Sequence, residues 1–133
     1  MIAAARRIPK PEKELPPLVN GDHLDQKTFH ERYEAMPGAR AELIGGIVYM
    51  SSSQKLRHGY HQRKLARLTD DYVEETPGIE GCVNSTSILG ADAEPEPDTC
   101  LFILPEYGGQ ATEDDGYLVG APEWIGEISD STE

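Results

Sequence analysis

The stretch EPEPDTCLFIL, residues 94–104, runs an acidic, proline-punctuated approach into a continuous apolar segment and leaves Asp98 as the last carboxylate before it. The apolar part, DTCLFIL, predicts an interior β-strand, because a short unbroken apolar run bounded by turn-forming residues suits a strand buried on both sides. Pro95 and Pro97 favour an extended approach and limit the positions open to the Asp98 side chain. An acid at the mouth of a buried strand requires a cation, a metal or a hydrogen-bond network. Glu127 raises the same question by interrupting the apolar run WIGEI in EWIGEIS, a second predicted strand, although alternation along that strand would instead turn it to solvent. Glu42 in AELIGG repeats the pattern.

Working outward, AELIGGIVYM places two apolar runs around Gly45 and Gly46, and a Gly-Gly pair takes the positive φ values of a two-residue hairpin turn. Before it, DQKTFHERYEAM has Asp25 as N-cap, Phe29, Tyr33 and Met36 at helical spacing, and Pro37 and Gly38 as a stop. Residues 55 to about 75 form the longest helical pattern, with His61, Leu65, Leu68 and Tyr72 on the side predicted to face inward and basic residues clustered on another. GCVNSTSIL reads as a short β-type run, Pro105 to Pro122 as a loop, and Trp124, Tyr117, Tyr49, Tyr60 and Tyr72 as packing or rim residues. The opening RIPKPEKELPPLVNGD, dense in proline and charge, reads as an extended arm outside the core. The predicted order is helix, hairpin, helix and three strands, without internal repeats.

A length of 133 residues suits one domain with a modest core. No stretch reaches the about 18–20 apolar residues of a membrane span, and the N-terminal residues lack a secretory apolar segment, so the expected location is cytoplasmic. Cys82 and Cys100, the two cysteines present, form no CxxC motif and are expected to be reduced and partly buried. The net charge of -12 is unevenly spread: from Asp92 onward there are twelve acids and no Lys or Arg. That excludes broad electrostatic attraction to nucleic acid through this region, since phosphate contacts need cations. Acids gathered without cations are either solvated, as TEDDG at 112–116 suggests, or hold a divalent metal that relieves their repulsion.

RAELIGGIVYM, HGYHQRKLARL, AEPEPDTCLFILPE and EWIGEISDST, in this order and at these separations, resemble the Uma-type restriction endonucleases, a branch of the PD-(D/E)XK phosphodiesterase superfamily. The resemblance runs from about Leu24 to the end of the chain. It implies an α/β (α+β) fold with a restriction-endonuclease-like core, a central mixed sheet flanked by helices. Residues 1–20 would form the arm and 21–133 the domain, with the C-terminal part of the fold missing. It further implies Asp98 and Glu127 as metal-binding catalytic acids, the Ile128 carbonyl as a further metal ligand, and Glu42 as an acid assisting the metal or its water. The implied cofactor is Mg²⁺ or Mn²⁺, the implied substrate DNA, and the implied assembly a homodimer.

One departure qualifies the implied activity. Superfamily members generally carry a Lys near the second acid, but the position two residues after Glu127 is Ser129; the resemblance places that Lys further on, in a helix expected after Glu133, and no Lys or Arg follows Arg67. Lys55, Arg57, Lys64 or Arg67 would have to reach the site from the long helix. His58 and His61, at i and i+3, share a helix face, and the resemblance places His58 close to the site. The reading is therefore a metal-dependent endonuclease, with a catalytically inactive nuclease-fold domain that binds metal or a partner as the alternative. A purely structural domain with solvated acids is the third possibility.

Overall fold

A computed structural model describes residues 14–129. The chain forms α1 (Gln26–Glu34), a hairpin of β1 (Ala41–Ile44) and β2 (Ile47–Met50), then α2 (Leu56–Glu75). The strands β3 (Ile79–Val83), β4 (Ser87–Ile88), β5 (Thr99–Ile103), β6 (Thr112–Asp114), β7 (Tyr117–Val119) and β8 (Trp124–Gly126) follow. This is an α+β fold, and among the described residues no helix is long and apolar enough to cross a membrane.

Local chemistry accounts for the first elements. The Asp25 carboxylate accepts the Thr28 N–H at 2.8 Å and so caps α1, satisfying one of the orphan donors of its first turn. Gly45 and Gly46 adopt φ of 58° and 78°, the pair of left-handed values that lets two residues join β1 to β2. The hairpin register pairs Ala41 with Met50 and Leu43 with Val48, and these inward-facing residues meet Phe29 of α1. Phe29, Leu43 and Val48 are fully buried, with Tyr33 stacked on Phe29 at 5.5 Å and Leu24, Met36 and Met50 closing the cluster. Leu18, on the arm side of residue 21, joins this core, and its N–H meets the Met36 sulfur at 3.2 Å. The rest of the predicted arm, residues 1–13, lies outside the described residues.

β5 is an interior strand, as its apolar run predicts: it lies between β3 and β8, antiparallel to both. A second three-stranded sheet, β4-β7-β6, mixes one parallel with one antiparallel pairing. The two regions meet where residues 93–98 run beside β1. Leu43 and Glu94 exchange both backbone hydrogen bonds, at 3.1 and 2.8 Å.

Three expectations are corrected. The segment from Pro105 to Pro122 is no plain loop: after a 3₁₀ turn at Pro105–Tyr107 it folds into the β6–β7 hairpin, turned by Asp115 and Gly116 with φ of 50° and 82°. The strand read in EWIGEIS ends at Gly126, so Glu127 stands just beyond β8 and does not interrupt it. The inward side of α2 is also rotated from the predicted one. Its half-buried positions are His58, Gln62, Leu65, Ala66, Thr69 and Val73, while His61 and Tyr72 are exposed and Leu68 is 68% exposed. The apolar members of that stripe fit against β3 and β8: a Cβ added to Gly126 would lie 3.0 Å from Leu65, and one added to Gly81 would meet Val73 at 3.7 Å.

These burials set opposite expectations for two apolar truncations. Phe29→Ala leaves a cavity in the closed core and should cost about 3–5 kcal/mol, whereas Leu68→Ala should change stability by no more than about 0.5 kcal/mol. Urea unfolding of both variants checks this, and similar losses in the two would contradict the assignment of the helix faces.

Candidate active site

Asp98 is the residue about which the site is built. It is buried directly ahead of β5, and its polar atoms meet partners from α2, from the end of β3 and from the residues past β8. Oδ2 accepts the Ile128 N–H at 2.8 Å, just past β8. Oδ1 lies 3.4 Å from His58 Nε2 on α2. Its carbonyl accepts the Asn84 N–H at 3.2 Å, where β3 ends, and the Gln62 side-chain amide at 3.0 Å. The same amide nitrogen donates to the Asn84 side-chain oxygen Oδ1 at 2.9 Å, so Gln62 ties α2 to the end of β3 and to the entrance of β5 together. Asn84 takes a left-handed conformation, φ 49°, which its side chain tolerates better than most, and this turns the chain out of β3.

Glu127 faces this arrangement. It is exposed as a residue, yet its carboxyl is pushed up to about 7 by partial burial, by the Asp98 charge and a hydrogen bond shared with Asp98, and by the charge of Glu42. Two carboxyl groups close enough to share a proton resist simultaneous ionisation, as like charges do in a partly desolvated setting. Glu42 joins from β1: its Oε1 accepts the Glu96 N–H at 2.7 Å, continuing with a side chain the ladder that Leu43 and Glu94 make with backbone. The structure thus brings Glu42, Asp98, Glu127, Ile128 and His58 into one neighbourhood, while His61 is exposed on α2.

His58 Nε2 is buried and makes no hydrogen bond among the described residues, its approach to Asp98 Oδ1 being a long ion-pair contact. His58 also lines a cavity of about 450 Å³ with Glu42, Tyr49, the serines at 51–53 and Lys55. Of the cations considered from sequence, Lys55 therefore stands at the edge of this cavity, whereas Arg67 lines a different one against β3. Among the described residues no three His, Cys, Asp or Glu side chains converge closely enough to hold a metal ion as they stand. The oxygen donors to hand are the carboxylates of Asp98 and Glu127, with the Ile128 carbonyl adjacent in sequence.

Sequence reasoning missed Gln62, Asn84 and Glu96. Gln62 lies four residues after His58 and so shares its helix face, a signal obscured by the apolar Leu68 and Tyr72 on the neighbouring face.

A family model described as "Uma2: Putative restriction endonuclease" matches residues 28–133. The chain belongs to the Uma2 family. Among solved structures, the crystal structure of a putative nuclease belonging to DUF820 from Anabaena variabilis ATCC 29413 matches with a TM-score of 0.57 at 19% identity, over 75% of this chain and 57% of that one. That likeness concerns the fold, and the Uma2 chain described here spans 57% of the length of that neighbour. No curated protein matches.

The raised Glu127 carboxyl has a consequence for stability. Glu127 holds its proton to a higher pH when folded than when unfolded, so its contribution is fully present below the ordinary value of 4.5 and is lost as pH rises through about 7. Burial raises Glu94 and Glu96 as well, adding to the same slope. Urea midpoints measured across this window should fall with pH more steeply in the native chain than in Glu127→Gln. Parallel profiles would mean that Glu127 does not feel Asp98 in the folded state.

Proposed function

We propose that the chain is a divalent-metal-dependent endonuclease that hydrolyses DNA phosphodiester bonds, using Asp98 and Glu127 as metal ligands. The observation that carries this reading is the Asp98–Glu127 pairing, which holds a carboxyl up at about 7. A cation would relieve that repulsion, and it would meet the hard oxygen donors suited to Mg²⁺ or Mn²⁺. Two carboxylates and one carbonyl fit an ion that keeps several of its waters, as Mg²⁺ does. When bound, such an ion supplies a water of lowered pKa and charge stabilisation at the phosphorus.

The chain's own groups do the rest. The Ile128 N–H occupies Oδ2 of Asp98 and thereby fixes the direction in which Oδ1 faces. His58 Nε2, buried and without a hydrogen-bond partner among the described residues, is able to hold a water or a phosphate oxygen beside Oδ1. Glu42 keeps Oε1 on the Glu96 N–H and has Oε2 to accept a proton or a water from the cavity side. Lys55, on the same cavity, is the cation best placed to meet a phosphate, and the basic exposed side of α2 would follow the DNA backbone. The apolar surface of Tyr72, Trp124 and Ile125 supports the homodimer in this reading.

Ser129, where superfamily members carry a Lys, favours a second reading: a nuclease-fold domain that binds metal or a partner without turnover. Calorimetric titration with Mn²⁺ addresses the site itself, comparing the native chain with the Asp98→Ala, Glu127→Ala double variant. The proposal expects binding that the double variant loses, and equal or absent binding would overturn it. Plasmid nicking under the same conditions separates the two readings: metal binding without nicking favours the domain without turnover. Light scattering on an eluting sample should give twice the chain mass, and a compact monomer would remove the dimer from the proposal.

A further inference from the structure

Cys82 and Cys100 occupy directly opposed register positions on the antiparallel strands β3 and β5. Opposed residues of such a ladder have Cα atoms about 4.5–5.5 Å apart, inside the span of about 4.4–6.8 Å that a disulfide bridges. Here the two sulfurs are already 3.1 Å apart and both thiols are free. Neighbouring packing keeps the strands close: a Cβ added to Gly81 would fall 3.1 Å from the Cys100 carbonyl oxygen and 2.7 Å from Leu101. The two thiols differ in access. Cys100 is buried, whereas Cys82 is half-buried and lines a cavity of about 460 Å³ together with Arg67, Thr69, Asp70, Glu80 and Thr99.

We infer that Cys82 and Cys100 are a reversible dithiol–disulfide pair that exchanges with small disulfides, Cys82 being the entry thiol and Cys100 the resolving one. Cys82 attacks one sulfur of the small disulfide as a thiolate, forming a mixed disulfide and displacing one small thiolate. Cys100 then loses its proton, and its sulfur attacks Sγ of Cys82 and displaces the second small thiolate. One S–S bond breaks and one forms overall. The two cysteines are oxidised by two electrons, the small disulfide is reduced to two thiols, and the two cysteine protons leave with them. The hydrogen bond between the two thiols lowers Cys82 and raises Cys100, and with its greater access this makes Cys82 the thiolate of the first step. Such a bridge in a protein of a reducing compartment is of the transient kind, not the structural kind.

The test uses the full chain and oxidised glutathione. Native protein is equilibrated over a series of glutathione redox ratios, quenched with acid, alkylated and mapped by mass spectrometry. The expected product has lost two hydrogens, takes up no alkyl group, links the peptides carrying Cys82 and Cys100, and returns to the dithiol with dithiothreitol. Oxidation at a given ratio should be favoured at least about tenfold over the same chain in urea, because the fold raises the effective concentration of one thiol at the other. Cys100→Ser should arrest at one glutathione on Cys82, and Cys82→Ser should leave Cys100 unmodified while the chain stays folded by circular dichroism. A native chain that keeps both thiols, carries glutathione without an internal bridge, links two copies, or oxidises no better than in urea would overturn the pair, whatever the serine variants do.

Discussion

The arrangement depends on keeping a charged carboxylate at the buried head of β5. Asp98 is removed from water, and the chain compensates by aiming separate elements at it: the backbone beyond β8 at one oxygen, α2 at the other, and the end of β3 at its carbonyl. A buried carboxylate is tolerated only where such partners are supplied, and supplying them fixes the relative positions of the elements that carry them. Gln62 makes the coupling tight, since one amide group spans helix, strand end and loop. Glu127 then joins without a compensating cation among the described side chains near it, and the cost appears as a carboxyl that ionises late.

Much of this was legible before any coordinates. Asp25, the Gly45–Gly46 pair and the unbroken run after Asp98 each speak through local rules, and all of them act as those rules require. The inward side of α2 did not yield to the same reasoning. Periodicity counts apolar residues, and here Leu68 and Tyr72 face out while His58, Gln62 and Thr69 face in. A helix laid over the polar entrance of a site has to present polar groups to it, so hydrophobic patterning points to the wrong face for a physical reason. The β6–β7 hairpin was hidden differently. TEDDG is charged enough to pass for a solvated loop, and it is the Asp-Gly turn, not burial, that specifies the pairing.

The acids divide along similar lines. Asp98 and Glu127 stand out by position in sequence, each a carboxylate set against an apolar run. Glu94 did not attract notice, yet it is completely buried, with Oε1 taking hydrogen bonds from Gln26 and His30, both at 2.8 Å. Its partners lie more than sixty residues away in sequence, so nothing local marks it. Thus the acid-rich approach to β5 combines two kinds of carboxylate: those that fasten the segment to α1 and β1, and the one that it delivers to the site.

Glu42 belongs to both kinds at once. By accepting the Glu96 N–H, its side chain stands in for a backbone carbonyl at the point where the chain leaves the edge of β1. Selection at this position would therefore act on two properties that a single substitution cannot separate. A shorter Asp would keep the charge but not the reach, and a Gln would keep the reach while trading one acceptor oxygen for a donor. A residue whose side chain carries a backbone contact is held in place by the architecture, whatever chemistry it also serves.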